Sequence, residues 1–175
     1  MKTLMKFTPT SKSKRILGID PGVATTGFGV IDYAKGDTMW VDRGIITTKA
    51  HLPLADRLKQ INDELTALCR TYQPYTAGVE KIFFAKNTKT AIDVAHARGV
   101  ILLTLKQLGI YTHEFTPIQI KMTLTGYGQA DKHQIQMMSK ATLRLAEFPH
   151  PDDAADALAI AICTAQHLHA FESKI

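Results

Sequence analysis

The chain has 175 residues, 45% of them hydrophobic, enough for one globular domain that buries about two-thirds of its unfolded surface. No run approaches the roughly 18 apolar residues of a membrane span, and the start lacks an apolar stretch ahead of a small-residue cleavage site, so a cytoplasmic protein is expected. The formal net charge is +5 but unevenly spread: residues 81–144 carry nine basic against three acidic side chains, between acidic segments at 20–80 and 145–175.

Residues 1–14, rich in Lys, Ser and Thr without period, read as a disordered basic extension, and residues 15–175 as a single domain. Apolar runs at Ile16–Ile19, Gly27–Tyr33 and Met39–Thr47, separated by the turn-forming Asp20-Pro21-Gly22 and Ala34-Lys35-Gly36-Asp37, predict a three-stranded meander. Pro53 stands where a first helical residue would. Leu54, Leu58, Ile61, Leu65 and Leu68 then repeat at alternating spacings of four and three, which predicts an amphipathic helix. Tyr75–Ile82 reads as a fourth strand, Thr88–Leu108 as a long helix and Gly109–Thr116 as a fifth strand. A short helix follows from Pro117, then a Gly126-Tyr127-Gly128 loop, a helix from Asp131 to Ala146 and a last helix from Asp152. Cys69 and Cys163 lie in apolar helical patterns without a Cys or His at ligand spacing, and read as reduced core residues.

The last helix is apolar almost all round. Between Ala154 and Ala165 only Asp156 and Thr164 are polar, so Asp156 must meet a partner or line a site. Asp153 lies one turn away, on the same face. Asp20 ends the first strand and Glu80 sits near the end of the fourth. Three antiparallel strands followed by βαβαβ is the ribonuclease H-like α/β fold, a five-stranded mixed sheet flanked by helices, in which strands one and four are adjacent and parallel. That arrangement sets Asp20 beside Glu80. Taken singly, Asp20 also fits a turn, Glu80 an exposed strand position and Asp152 a helix N-cap; the cap is assigned to Asp152 and the site to Asp153. Converging carboxylates repel one another unless they share cations, and hard oxygen ligands suit Mg²⁺, with Mn²⁺ as a substitute. Two such ions about 4 Å apart activate a water and stabilise the leaving oxygen at a phosphodiester.

Gly18-Ile19-Asp20-Pro21-Gly22 with Thr26-Gly27-Phe28-Gly29, Val79-Glu80-Lys81-Ile82-Phe83 with Ala85-Lys86-Asn87, Ala97-Arg98-Gly99-Val100, and Asp153-Ala154-Ala155-Asp156-Ala157-Leu158-Ala159 occur in this order. Together they resemble the RuvC family of bacterial Holliday junction resolvases over nearly all of residues 15–170. The resemblance implies a Mg²⁺-dependent endodeoxyribonuclease whose catalytic and metal-binding acids fall on Asp20, Glu80, Asp153 and Asp156. It puts a base-contacting aromatic on Phe83 and lysines near the cut phosphate on Lys121 and Lys132, with Lys86 as a further DNA contact. It also implies a homodimer that makes paired symmetric nicks in four-way junction DNA, leaves 5′-phosphates, and works beside a branch-migration motor (RuvA and RuvB). The extension before Arg15 departs from the usual family start.

The residues admit more than one reading. An exposed Phe83 ring would stack on opened bases, and Lys121 and Lys132, flanking the glycine loop, would neutralise phosphate charge; buried rings and solvated lysines are the commoner roles of such side chains. His113, His133, His150, His167 and His169 show no metal spacing and read as surface or capping residues. Ala91, Ala95 and Gly99, spaced by four, would admit a partner helix or face the protein's own sheet. The Gly-Ile-Asp-Pro-Gly opening also resembles actin-like sugar kinases and ATPases, but the single domain and absence of a second Gly-rich phosphate loop argue against them. A junction-binding protein without catalysis, and a related nuclease acting on RNA, are also compatible with these residues.

Overall fold

Strand alternation decides the architecture, because successive residues of each strand face opposite sides of one sheet. In the computed structural model, which describes residues 13–82 and 88–172, the chain runs β1 (Lys14–Asp20), β2 (Thr25–Ala34), β3 (Asp37–Thr47), α1 (Leu54–Tyr72), β4 (Thr76–Glu80), α2 (Thr88–Gln107), β5 (Tyr111–Phe115), α3 (Pro117–Thr125), α4 (Lys132–Thr142) and α5 (Asp152–Glu172). The sheet order is β3-β2-β1-β4-β5. The β1–β2 and β2–β3 pairs are antiparallel, and β1–β4 and β4–β5 parallel. This is the expected ribonuclease H-like mixed sheet flanked by helices.

Leu17, Ile19, Val30, Ile46, Ala77 and Val79 project to one face, where Ile61, Leu65 and Cys69 of α1 and Ala97, Ile101 and Leu105 of α2 complete a core. The Thr104 hydroxyl donates to Asn62 Oδ1 at 2.8 Å and ties those two helices together. Ile16 and Ile31 project to the opposite face, with Leu158 and Ile162 of α5 and parts of α3 and α4. There α5 crosses a floor of glycine. A Cβ on Gly18 would strike the Ala157 carbonyl oxygen, and one on Gly27 the Asp153 carbonyl oxygen. Only glycine permits so close an approach of helix backbone to strand.

Several boundaries differ from the sequence expectation. The first strand already includes Lys14, paired with Tyr33. Pro53 is extended (ψ 144°) and precedes the helix rather than beginning it. The fourth and fifth strands are shorter than predicted at both ends, and α2 stops at Gln107. The helix expected to reach Ala146 ends at Thr142: Arg144 adopts a left-handed conformation (φ 52°) and the Leu145 N–H bonds back to the Lys140 carbonyl at 3.0 Å, a Schellman-type stop without glycine. Asp152 is not a cap. It is already the first helical residue, and the Pro151 carbonyl accepts the first intrahelical bond, from Ala155 at 3.0 Å.

His133, His150, His167 and His169 are exposed, as expected of surface residues, and His113 is half-buried. His113 packs edge-on against Tyr111 and His167, with centroids 4.9 and 5.4 Å away, and stacks on Phe115. Burial, followed by the charge of His167, lowers its pKa. His169 meets Tyr33, whose hydroxyl lies 3.1 Å from Nδ1, and His133 packs on Phe148. An imidazole is an adequate aromatic filler where its polar tip stays wet. Cys69 and Cys163 are free and buried, as expected. Among the described residues no helix is long and apolar enough to cross a membrane.

Candidate active site

The register Ile19↔Val79 between β1 and β4 sets Asp20 level with Glu80 at the carboxyl ends of two adjacent parallel strands. Both share the strand parity of Gly18 and Gly78, the face that α5 covers. The first turns of α5 rest on Gly27 and Gly18, so Asp153 and Asp156 arrive over the same strand ends. The structure therefore brings together all four acids named from the sequence.

Their electrostatics show how close that gathering is. Burial, then the charges of Glu80, Asp156 and Asp153, push Asp20 up to about 8, with Lys132 opposing. Burial and then Asp156 push Glu80 up to about 7, against the pull of Lys121. Asp156 is also raised, chiefly by burial, while Lys132 counteracts. Carboxylates left charged here would be short of both solvent and counter-charge, an environment that a divalent cation relieves.

A cleft of about 240 Å³ opens beside the acids, lined by Glu80, Asp156, Lys121 of α3, Lys132 of α4 and the apolar Ile120 and Ile135. Both helices are anchored at their starts by capping boxes. The Thr116 hydroxyl accepts from the Gln119 N–H, and the Asp131 carboxylate from the Gln134 N–H. Lys132 Nζ lies 3.2 Å from Asp156 Oδ2 and 3.2 Å from Asp152 Oδ2. Among the described residues, no three His, Cys, Asp or Glu side chains are already gathered as a metal would gather them; the Lys132 ammonium takes up Asp156 instead. The donor set nonetheless fits a hard divalent cation, because it is all carboxylate and short of positive charge. Phe83 and Lys86 lie outside the described residues.

Two features are not apparent from the sequence. The glycines that let α5 settle are visible there only as motif letters; their spacing against Ala157 and Ala161, one turn apart on the facing helix, is the available signal. Asp152, expected as a cap, pairs with Lys132 instead.

The family model described as "Crossover junction endodeoxyribonuclease RuvC" matches residues 16–164. This chain belongs to the RuvC family. The crossover junction endodeoxyribonuclease RuvC of Roseiflexus sp. is 51% identical over 149 residues, covering 85% of this chain and 89% of that one. The RuvC of Brevibacillus brevis is 53% identical over 152 residues, covering 87% and 92%. The solved structure of Thermus thermophilus RuvC in complex with Holliday junction substrate superposes with a TM-score of 0.85 at 29% identity, covering 90% and 96%. RuvC-family nucleases are metal-dependent, in keeping with an acid cluster whose carboxylates outnumber the Lys121 and Lys132 ammonium groups beside it.

Proposed function

We propose that this protein cuts four-way DNA junctions by Mg²⁺-dependent hydrolysis, with paired symmetric nicks that leave 5′-phosphates. The observation that carries this is the meeting of Asp20, Glu80, Asp153 and Asp156 over the ends of β1 and β4, three of them held above their ordinary range by burial and by neighbouring acids. Two Mg²⁺ ions held by these four acids would supply an activated water and neutralise the leaving oxygen. Mn²⁺ offers the same coordination chemistry. Lys121, from the middle of α3, and Lys132, from the capped start of α4, line the cleft, where their ammonium groups bind the phosphate and offset its developing charge. Phe83 stacks on bases opened at the junction centre, and Lys86 adds a backbone contact. The junction substrate is supported by similarity to the Thermus thermophilus complex.

The working unit is a homodimer formed through α2. Gly99 has nothing within 4 Å of an added Cβ, and Ile92 and Leu103 are each 58% exposed, so the stripe that could have faced the sheet faces outward and remains apolar. A two-fold dimer matches a junction whose opposed strands are related by a two-fold. A branch-migration motor (RuvA and RuvB) delivers the substrate in the cytoplasm.

The test incubates the protein with a synthetic four-way junction, a linear duplex and an RNA–DNA hybrid, with and without Mg²⁺, and maps the cuts. Symmetric nicks confined to the junction and to Mg²⁺ are expected. Cutting of the hybrid in preference to the junction would transfer the assignment to RNA.

A further inference from the structure

Lys132 and Gln136 stand one turn apart on α4, and Asp152 and Asp156 stand one turn apart on α5. Their side chains form a ladder between the two helices. Lys132 Nζ is 3.2 Å from Asp152 Oδ2 and 3.2 Å from Asp156 Oδ2, and Gln136 Nε2 donates to Asp152 Oδ1 at 3.4 Å. The root of the lysine is fixed, because the Asp131–Gln134 capping box closes on either side of it at 2.8 and 2.9 Å. Its tip is shared between an acid lining the cleft and an acid at the rim. The Asp152 side chain is 67% exposed and that of Asp156 38%, so Asp152 contributes little to the core, and its place in the ladder is the interaction left to explain.

We propose that Asp152 is a positioning residue that retains the Lys132 ammonium at the rim of the site when a divalent cation takes Asp156. The inference rests on the metal reading above. An ammonium has three donors and serves two carboxylates at once. A divalent cation takes hard carboxylate oxygens in preference to a lysine, and an ammonium released from Asp156 then stays on Asp152, already ordered by Gln136. Without Asp152 the lysine has only Asp156 or water, so it competes with the metal for its ligand or leaves the phosphate's position. The exchange costs little, because the Lys132–Asp156 pair that is given up is itself partly exposed, at 49% and 38%, and such pairs are weak.

The decisive measurement is Mn²⁺ binding to the full-length DNA-free protein, by calorimetry and by the electron spin resonance signal of free Mn²⁺, in a double-mutant cycle of Asp152→Asn and Lys132→Met. With Lys132 present, Asp152→Asn should weaken Mn²⁺ about three- to tenfold; in the Lys132→Met background it should have almost no effect. Asp152→Glu should restore binding. At saturating Mg²⁺, Asp152→Asn should lower kcat for the junction about tenfold with KM within about twofold, and leave the thermal midpoint unchanged. Equal weakening of Mn²⁺ in both backgrounds would reduce Asp152 to a nearby charge and overturn the proposal, as would unchanged Mn²⁺ affinity and kcat. Wild-type protein that bound no Mn²⁺ and yet cut junctions would sink the metal reading first, and this inference with it.

Discussion

The two faces of the sheet are built on opposite principles. Toward α1 and α2 the strands present large aliphatic side chains, Leu17, Ile19, Val30 and Val79, which meet Ile61, Leu65, Ile101 and Leu105 in ordinary packing. Toward α5 they present Gly18, Gly27, Gly29 and Gly78, and the helix backbone rests almost on the strands. The first face contributes apolar burial, about 25 cal/mol per Å². The second gives up side-chain burial at four positions and gains placement, setting two helical acids against two strand acids. Both sides of the sheet bury apolar residues, but only the glycine side also places the acids.

That separation can be broken at several points. Asp20→Asn, at the edge of the glycine face, should lower cleavage on the order of a thousandfold while junction binding, followed by gel shift, stays within a few-fold. Near wild-type cutting would end the metal assignment. Gly27→Ala should lift the first turn of α5 away from β2, and a displacement of about 1 Å at the acids should lower kcat on the order of a hundredfold. On the opposite face, Leu65→Ala should cost about 2–5 kcal/mol in denaturant unfolding and leave kcat per folded molecule unchanged. Comparable loss of kcat in the two variants would show that the faces are not separable.

The smallest expected effect is on pH. Asp20 and Glu80 have native pKa values raised to about 8 and about 7, so between about pH 4 and those values the native state holds protons that the unfolded chain has released. Their contribution is therefore full at low pH and lost as pH rises. Metal-free protein should melt about 3 °C or more lower at pH 8 than at pH 5. Mg²⁺ should flatten the dependence by stabilising the charged forms, and Asp20→Asn should flatten it without metal. A metal-free midpoint that rose over this range would refute the electrostatics of the cluster.

The strand meander, the βαβαβ order and the proximity of Asp20 to Glu80 were legible because alternation and parallel pairing fix which residues share a strand end. Asp156 stood out because an acid inside an apolar helix demands an explanation. Less was legible where several local solutions cost the same. Asp152 satisfies the composition of a cap, yet Pro151 takes that position and frees the carboxylate for Lys132. Arg144 ends α4 in a conformation normally reserved for glycine. Whether Ala91, Ala95 and Gly99 faced inward could not be read from spacing, because a small-residue stripe suits a sheet or a partner helix equally; the open space at Gly99 shows that it faces outward. The packing of the histidine rings was not legible, because a lack of ligand spacing says nothing about what a ring packs against.

The dependence of the acid cluster on α5 has a kinetic consequence. Asp20 and Glu80 can come level as soon as β1 and β4 pair, but Asp153 and Asp156 reach them only when a helix from much later in the sequence docks on the glycine floor. Contacts of such long range form slowly, after loop-closure entropy has been overcome. A chain with its sheet formed and α5 undocked holds half its acids and no closed cleft. If the four acids act together as proposed, a molecule with α5 undocked would not cut the DNA around it, and competence would come with the docking of that helix.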